Sequence, residues 1–98
     1  MEIERLLSMR RTLKWAQKYE LCLKETLSIK EIMELRDCGQ TTATKIRDNA
    51  IEYCVINDIE FSTRKVPTMA IFQVTKLDIG YYYEKMIQES KIIEYKGV

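Results

Sequence analysis

Two helical segments in the middle of the chain are separated by a break of a few residues, and this spacing constrains the fold more than any other feature. Ser28 and Glu31 have the spacing of a capping box, in which two side chains satisfy backbone N–H groups where a helix begins. This helix cannot run far past Asp37, because Gly39 is expected to form a left-handed turn and Thr41 to cap the next helix. The sequence therefore predicts two helices joined by a tight turn.

The second helix is predicted over residues 42–55. Its apolar side chains recur at the spacing of one helical face. The residues expected on this inward side are Ala43, Ile46, Ala50 and Tyr53, with Cys54 at its margin. The opposite side begins with Thr41, Thr44 and Lys45, and is expected to face away from the first helix.

A short two-stranded wing is predicted after this helix. Residues 59–61 alternate in polarity as a strand does, residues 62–65 form the tip, and Val66 with Pro67 closes the return strand at an edge.

Helices are also predicted at both ends of the chain. The first spans residues 3–18 and another begins at Pro67 and Thr68 and runs to Val74, while Asp78 caps the last. The inward residues expected in the last helix are Ile79, Tyr82, Tyr83, Met86, Ile87, Ser90 and Ile93. We expect one domain with a mainly α fold, divided into an N-terminal helical extension (1–27), a helix-turn-helix with its wing (28–67) and C-terminal helices (68–98).

Composition excludes several classes of function. The chain has 98 residues and a net charge of +1, so any binding to nucleic acid must depend on local clusters of basic residues. It has no histidine, and its three cysteines form no Cys-x-x-Cys pair, so we expect no metal or other cofactor. Buried thiols in a cytoplasmic protein are the simplest interpretation of the cysteines. Apolar runs are too short for a membrane span. An enzyme is disfavoured, because general-base, phosphate-loop and nucleophile motifs are missing from the sequence.

The segment LSIKEIMELRDCGQTTATKIRDNAI resembles the helix-turn-helix family of DNA-binding proteins. The apolar positions that carry this resemblance are Ile32, Met33, Cys38, Ala43 and Ile46. Gly39 falls one residue later than the family's usual turn glycine, and Asp37 lies near that place. Residues 27–85 resemble, more loosely, the excisionase-like and winged-helix proteins of phages and mobile elements. This resemblance implies DNA binding beside recombination sites, DNA bending or integrase recruitment, and in some members transcription regulation.

If the second helix enters the major groove, its first residues approach the bases most closely. The candidate base contacts are Gln40, Thr41, Thr44 and Lys45. Arg47 lies toward the flank and is expected to reach a phosphate. Arg64 and Lys65 fit a wing that tracks the phosphates or probes the minor groove, and their alternative is a charged edge that discourages strand aggregation. Residues 5–18 contain five basic side chains and no acidic one. Of these, Arg10, Arg11, Lys14 and Lys18 are candidate phosphate contacts, and their alternative is an ordinary solvated face.

Asp48 and Glu52 lie farther along the same outward side of the second helix and repel a DNA backbone. They favour the main alternative, a non-catalytic adaptor that binds and redirects another protein. In a combined role, the first or last helix also forms a dimer seam, through Leu6, Met9 and Leu13 or through Ile87 and Ile93. The run of tyrosines at residues 81–83 is expected to pack in the core rather than stack on bases.

Overall fold

The computed structural model describes residues 14–97, with side chains given as far as residue 91. The elements in this part of the chain are α1 (Lys14–Cys22), β1 (Thr26–Leu27), α2 (Ile29–Arg36), α3 (Gln40–Ile56), β2 (Val66–Pro67), α4 (Thr68–Thr75) and α5 (Ile79–Gly97). The fold is mainly helical with a small antiparallel sheet, as predicted. Helix α3 packs against α2 and α4, and α1 packs against α5.

Two predicted helix starts are confirmed by their caps. The hydroxyl of Ser28 accepts a hydrogen bond from the Glu31 N–H at 3.3 Å, and the Glu31 carboxylate accepts one from the Ser28 N–H at 3.0 Å. At the start of α5, the Asp78 carboxylate accepts a hydrogen bond from the Tyr81 N–H at 2.9 Å. Each cap satisfies a backbone donor that the helix itself leaves without a partner.

The two strands differ in part from the predicted wing. Strand β2 is where it was predicted, but it pairs with β1, with Thr26 opposite Pro67 and Leu27 opposite Val66. Residues 59–61, the predicted partner, form no strand. Leu27 and Val66, which are paired across the two strands, are both buried in the hydrophobic core. Burial of these two apolar side chains favours the pairing of β2 with β1. The sequence pattern had placed β1 in the N-terminal helical extension.

The loop of residues 57–65 replaces the predicted hairpin between α3 and β2. The N–H of Ile59 donates to the carbonyl of Cys54 at 2.8 Å and so closes the end of α3. Its backbone donor is thereby unavailable to a strand partner. Phe61 is exposed, so the alternation in this segment does not correspond to a buried face.

Helix α5 buries a narrower face than predicted. Tyr82 is buried, but Tyr83 and Ile79, which were expected to point inward, are exposed. Helix α5 packs against α1, and three further residues expected to point inward, Met86, Ile87 and Ser90, are half-buried. The ring of Tyr83 lies 5.6 Å from that of Tyr19, at the margin of this contact. The side chain of Ile93 lies outside the described residues.

Candidate nucleic-acid interface

The turn between α2 and α3 is formed by Asp37 and not by Gly39, contrary to prediction. Asp37 has φ 48° and ψ 50°, in the left-handed region, and its N–H donates to the carbonyl of Met33. The N–H of Cys38 reaches the same carbonyl at 3.1 Å. Aspartate tolerates the left-handed region better than most residues, so a glycine is not required there. Asp37 occupies the place near which the helix-turn-helix resemblance expects a glycine.

Helix α3 begins at Gln40, two residues earlier than predicted. Its N-cap is Gly39, at φ −80° and ψ 175°, and no side chain caps the first turn. Thr41 is therefore inside the helix and does not cap it. The first turn contains no acidic residue, so the positive end of the helix dipole is not neutralised from within α3.

The first turns of α3 contain all four candidate base-contacting residues. Gln40, Thr41 and Lys45 are exposed, and Thr44 is half-buried. The inward face of the helix is held by the core residues Ala43 and Ala50. Helical spacing places two further exposed residues beside Thr41 and Lys45, namely Thr42 and Asn49. Both lie inside the helix predicted over residues 42–55, and their spacing from Thr41 and Lys45 is the signal that could have found them.

The remaining charged residues of α3 change the sign of its outward face. Arg47 is half-buried, and its Nε and Nη2 donate to the Asp48 carboxylate at 3.2 and 3.0 Å. This internal pairing engages the guanidinium that was predicted to reach a phosphate. Asp48 and Glu52 are exposed. The outward face of α3 is therefore neutral to basic in its first two turns and acidic beyond them.

Arg64 and Lys65 are both exposed and lie immediately before β2. The hydroxyl of Ser62 accepts a hydrogen bond from the Arg64 N–H at 3.2 Å, which stabilises the bend in the loop. Because β2 is paired with β1, this end of the loop is attached to the rigid part of the fold. The two cations thus remain accessible at an anchored position.

The basic residues of the first predicted helix divide into three groups. Arg10 and Arg11 lie outside the described residues. Lys14 is exposed, with its ammonium 3.8 Å from the Asp37 carboxylate. Lys18 is only 4% exposed, so it is not available for the phosphate contact predicted for it.

The ammonium of Lys18 instead holds the end of α2. It donates to the carbonyls of Glu34 and Leu35 at 2.5 and 3.2 Å and lies 3.1 Å from the Asp37 carboxylate. The hydrogen bond from Lys18 lowers the pKa of Asp37. A cation at a helix C-terminus is also favoured by the helix dipole. Lys18 therefore connects α1 to the turn that precedes α3.

The cysteines and carboxylates of the described residues form no metal site, and the two buried thiols are not activated. Within residues 14–91, no three Cys, Asp or Glu side chains are grouped to hold a metal ion. Burial raises the pKa of the Cys22 thiol to about 11, which keeps it protonated. Burial also raises the pKa of Cys54, and neither thiol has the low pKa of an activated nucleophile.

None of the helices in the described part of the chain is long and apolar enough to cross a membrane. Comparisons of the sequence with protein-family models and with curated proteins, and of the chain with solved structures, found no match.

Proposed function

We propose that this protein binds double-stranded DNA with sequence specificity, and that the first half of α3 enters the major groove. The observation that carries the proposal is the exposed set of hydrogen-bonding side chains at the start of α3, which follows a tight turn and precedes the first acid, Asp48. In a helix-turn-helix, the N-terminal part of the second helix contacts base edges while the first helix crosses the backbone.

The dimensions of α3 agree with this partial insertion. Its 17 residues extend over about 25 Å at a rise of 1.5 Å per residue, whereas the major groove is about 12 Å wide. A helix that enters the groove by its N-terminal end leaves its last turns outside. Glu52, about 18 Å along the axis from Gln40, then lies outside the groove. Asp48, about 12 Å from Gln40, lies at the edge of the groove, where its pairing with Arg47 offsets its charge. Both features reduce the repulsion between α3 and the phosphates.

Each candidate side chain has a defined partner in a duplex. Gln40 pairs with adenine, Lys45 with guanine, and Thr41 and Thr44 donate to a base or contact a thymine methyl group. Arg64 and Lys65 of the 57–65 loop contact phosphates or the adjacent minor groove. Lys14 adds a phosphate contact near the turn, beside Asp37. Arg10 and Arg11 remain candidate phosphate contacts from the sequence.

The biological role that we propose is that of an excisionase-like recombination directionality factor or a small transcriptional regulator acting in the cytoplasm. Both roles need selective binding to a short DNA site. An integrase is the protein partner that the excisionase-like resemblance suggests, and a homodimer would double the length of DNA recognised.

The experiment is selection of duplexes from a random pool, followed by affinity measurements on the selected sequence with wild type and with Thr44→Ala/Lys45→Ala. The variant should lose selectivity, because it removes two side chains aimed at bases. A matched control is Gln88→Ala/Lys91→Ala, which removes an exposed amide and an exposed lysine from α5. The control should bind the selected duplex as wild type does.

Two results would contradict the proposal. One is the absence of binding to any duplex at low salt. The other is a selected sequence that wild type and Thr44→Ala/Lys45→Ala bind with equal selectivity, since α3 would then not read the bases.

A second candidate function is a non-catalytic adaptor that binds and redirects another protein. The specific observation in its favour is the acidic second half of α3, where Asp48 and Glu52 are exposed. The two functions differ in what the protein binds at low salt, where a phosphate-binding surface has its highest affinity for a duplex. Binding to a protein, with no affinity for any duplex at low salt, would favour the adaptor.

A further inference from the structure

The last turns of α3 expose apolar side chains beside acids. Val55 and Ile56 are 64% and 73% exposed, the highest values among the large hydrophobic residues of the described chain. Asp48, Glu52, Val55 and Ile56 follow the spacing i, i+4, i+7 and i+8, so they share one side of the helix. We name these four residues the distal surface of α3.

The surroundings of the distal surface are strongly acidic. Residues 48–63 contain four acids, Asp48, Glu52, Asp58 and Glu60, and no lysine or arginine. Among the described residues, Asp48 pairs with Arg47, whereas Glu52 takes part in no ion pair. The C-terminal end of the helix adds the negative end of its dipole. The local charge is therefore opposite to that of the proposed DNA-binding end.

Charge excludes two occupants of this surface. A DNA backbone is repelled by the acids, and insertion of α3 by its N-terminal end leaves Val55 and Ile56 outside the groove. A second copy related by a two-fold axis brings the same patch against itself, so Glu52 of one copy would face the acids of the other. The surface requires an occupant that neutralises Glu52 and covers Val55 and Ile56. A basic partner with apolar side chains does both.

We propose that the distal surface of α3 is a docking site for a basic, amphipathic helical segment of another protein. Lysine or arginine side chains of the partner pair with Asp48 and Glu52, and its aliphatic side chains cover Val55 and Ile56. The proposal rests on the proposed function in one respect, that the first half of α3 is occupied by DNA. The protein then binds DNA and a protein at opposite ends of one helix.

The test uses a synthetic amphipathic helical peptide of leucine and lysine, with a matched peptide in which glutamate replaces lysine. Binding of both peptides to the full chain is measured by fluorescence anisotropy. Wild type should bind the lysine peptide and not the glutamate peptide. Asp48→Lys/Glu52→Lys and Val55→Ser/Ile56→Ser should each weaken binding at least tenfold. Glu20→Lys/Glu84→Lys, a matched reversal of two exposed acids elsewhere, should change it less than twofold.

The same variants separate this proposal from the proposed function. Val55→Ser/Ile56→Ser should keep the duplex affinity and the circular dichroism of wild type, and Asp48→Lys/Glu52→Lys should bind duplex more tightly. If wild type binds no duplex, that result contradicts the proposed function but not the docking site.

Four results would overturn the docking site. Two concern the lysine peptide: it binds wild type and Asp48→Lys/Glu52→Lys equally, or it does not bind wild type. Val55→Ser/Ile56→Ser could convert a self-associated wild type into monomers, which identifies a second copy as the occupant. The same variant could lose duplex affinity while remaining folded, which assigns the surface to DNA.

Discussion

Asp37 shows how one residue positions the candidate interface. Its left-handed backbone ends α2, and its carboxylate lies 3.1 Å from the Lys18 ammonium. The sequence indicated a break here but assigned the unusual conformation to Gly39, because glycine adopts it at the lowest cost. Gly39 has an ordinary extended backbone instead, and a Cβ built on it meets no atom within 4 Å. The residue that forms the turn is thus Asp37, which the sequence pattern did not distinguish from an ordinary exposed acid.

Gly39→Ser is expected to stabilise the folded chain. The N-cap position of α3 accommodates a side chain, and a serine hydroxyl there accepts a hydrogen bond from an unpaired N–H of the first turn. Loss of glycine also reduces the freedom of the unfolded chain. We expect the free energy of unfolding to rise by about 0.5–1 kcal/mol, measured by urea unfolding. A lower free energy of unfolding would contradict the conformation assigned to Gly39.

At the scale of elements, the contact between α1 and the end of α2 depends on a buried charge. Replacing Lys18 by methionine keeps most of the apolar stem but leaves the carbonyls of Glu34 and Leu35 without their donor. We expect Lys18→Met to lower the free energy of unfolding by about 1–3 kcal/mol. Lys14→Met is the matched control, because Lys14 is exposed, and it should stay within about 0.5 kcal/mol of wild type. Equal effects of the two substitutions would show that the Lys18 contacts do not stabilise the fold.

The pairing of Lys18 with Asp37 also makes stability depend on pH. Because the hydrogen bond from Lys18 lowers the pKa of Asp37, the carboxylate stabilises the folded chain above its ordinary pKa of about 3.9. This contribution is lost as the pH falls through the lowered folded value. Wild type should therefore be more stable than Asp37→Asn at pH 7, and the difference should shrink below about pH 4. A difference that is constant with pH would exclude the ionised pair as its cause.

The helices were more predictable from the sequence than the sheet, for a physical reason. Capping boxes and helical periodicity are local, so the starts of α2 and α5 could be located from Ser28 and Asp78. The pairing of Leu27 with Val66 joins residues far apart in the chain, and no local pattern marks two-residue strands. The segment 59–61 has the alternation of a strand but no neighbour that covers Phe61.

At the scale of the whole molecule, the exposure of Lys45 was predictable from its position on the predicted helix, whereas Gln40 and Thr41 were predicted to precede that helix. All three side chains are exposed, as a recognition helix requires. Lys18 was not predictable as a buried residue, because the acceptors that hold it belong to α2 and the turn after it. Burial of a charge depends on what surrounds it, which helical phase within α1 does not specify.

The loop cations are expected to contribute to affinity without selecting a sequence. Arg64→Ala/Lys65→Ala should weaken binding to all duplexes to a similar extent. It should also reduce the slope of log affinity against log salt by about 2, since each phosphate contact contributes about 0.9. Lys76→Ala/Lys91→Ala, which removes two exposed lysines elsewhere, is the control and should leave the slope unchanged. A loss of affinity confined to one duplex sequence would instead assign Arg64 and Lys65 to base readout.

We propose that the α2–α3 end of this protein binds duplex DNA through several phosphates. The affinity of wild type for a random duplex pool, measured as salt is raised from about 50 to 200 mM, tests this first. Binding should be detectable at low salt, and log affinity should fall linearly with log salt, with a slope of about −0.9 for each phosphate contacted. Affinity that is undetectable at the lowest salt, or that does not change across the series, would contradict the proposal.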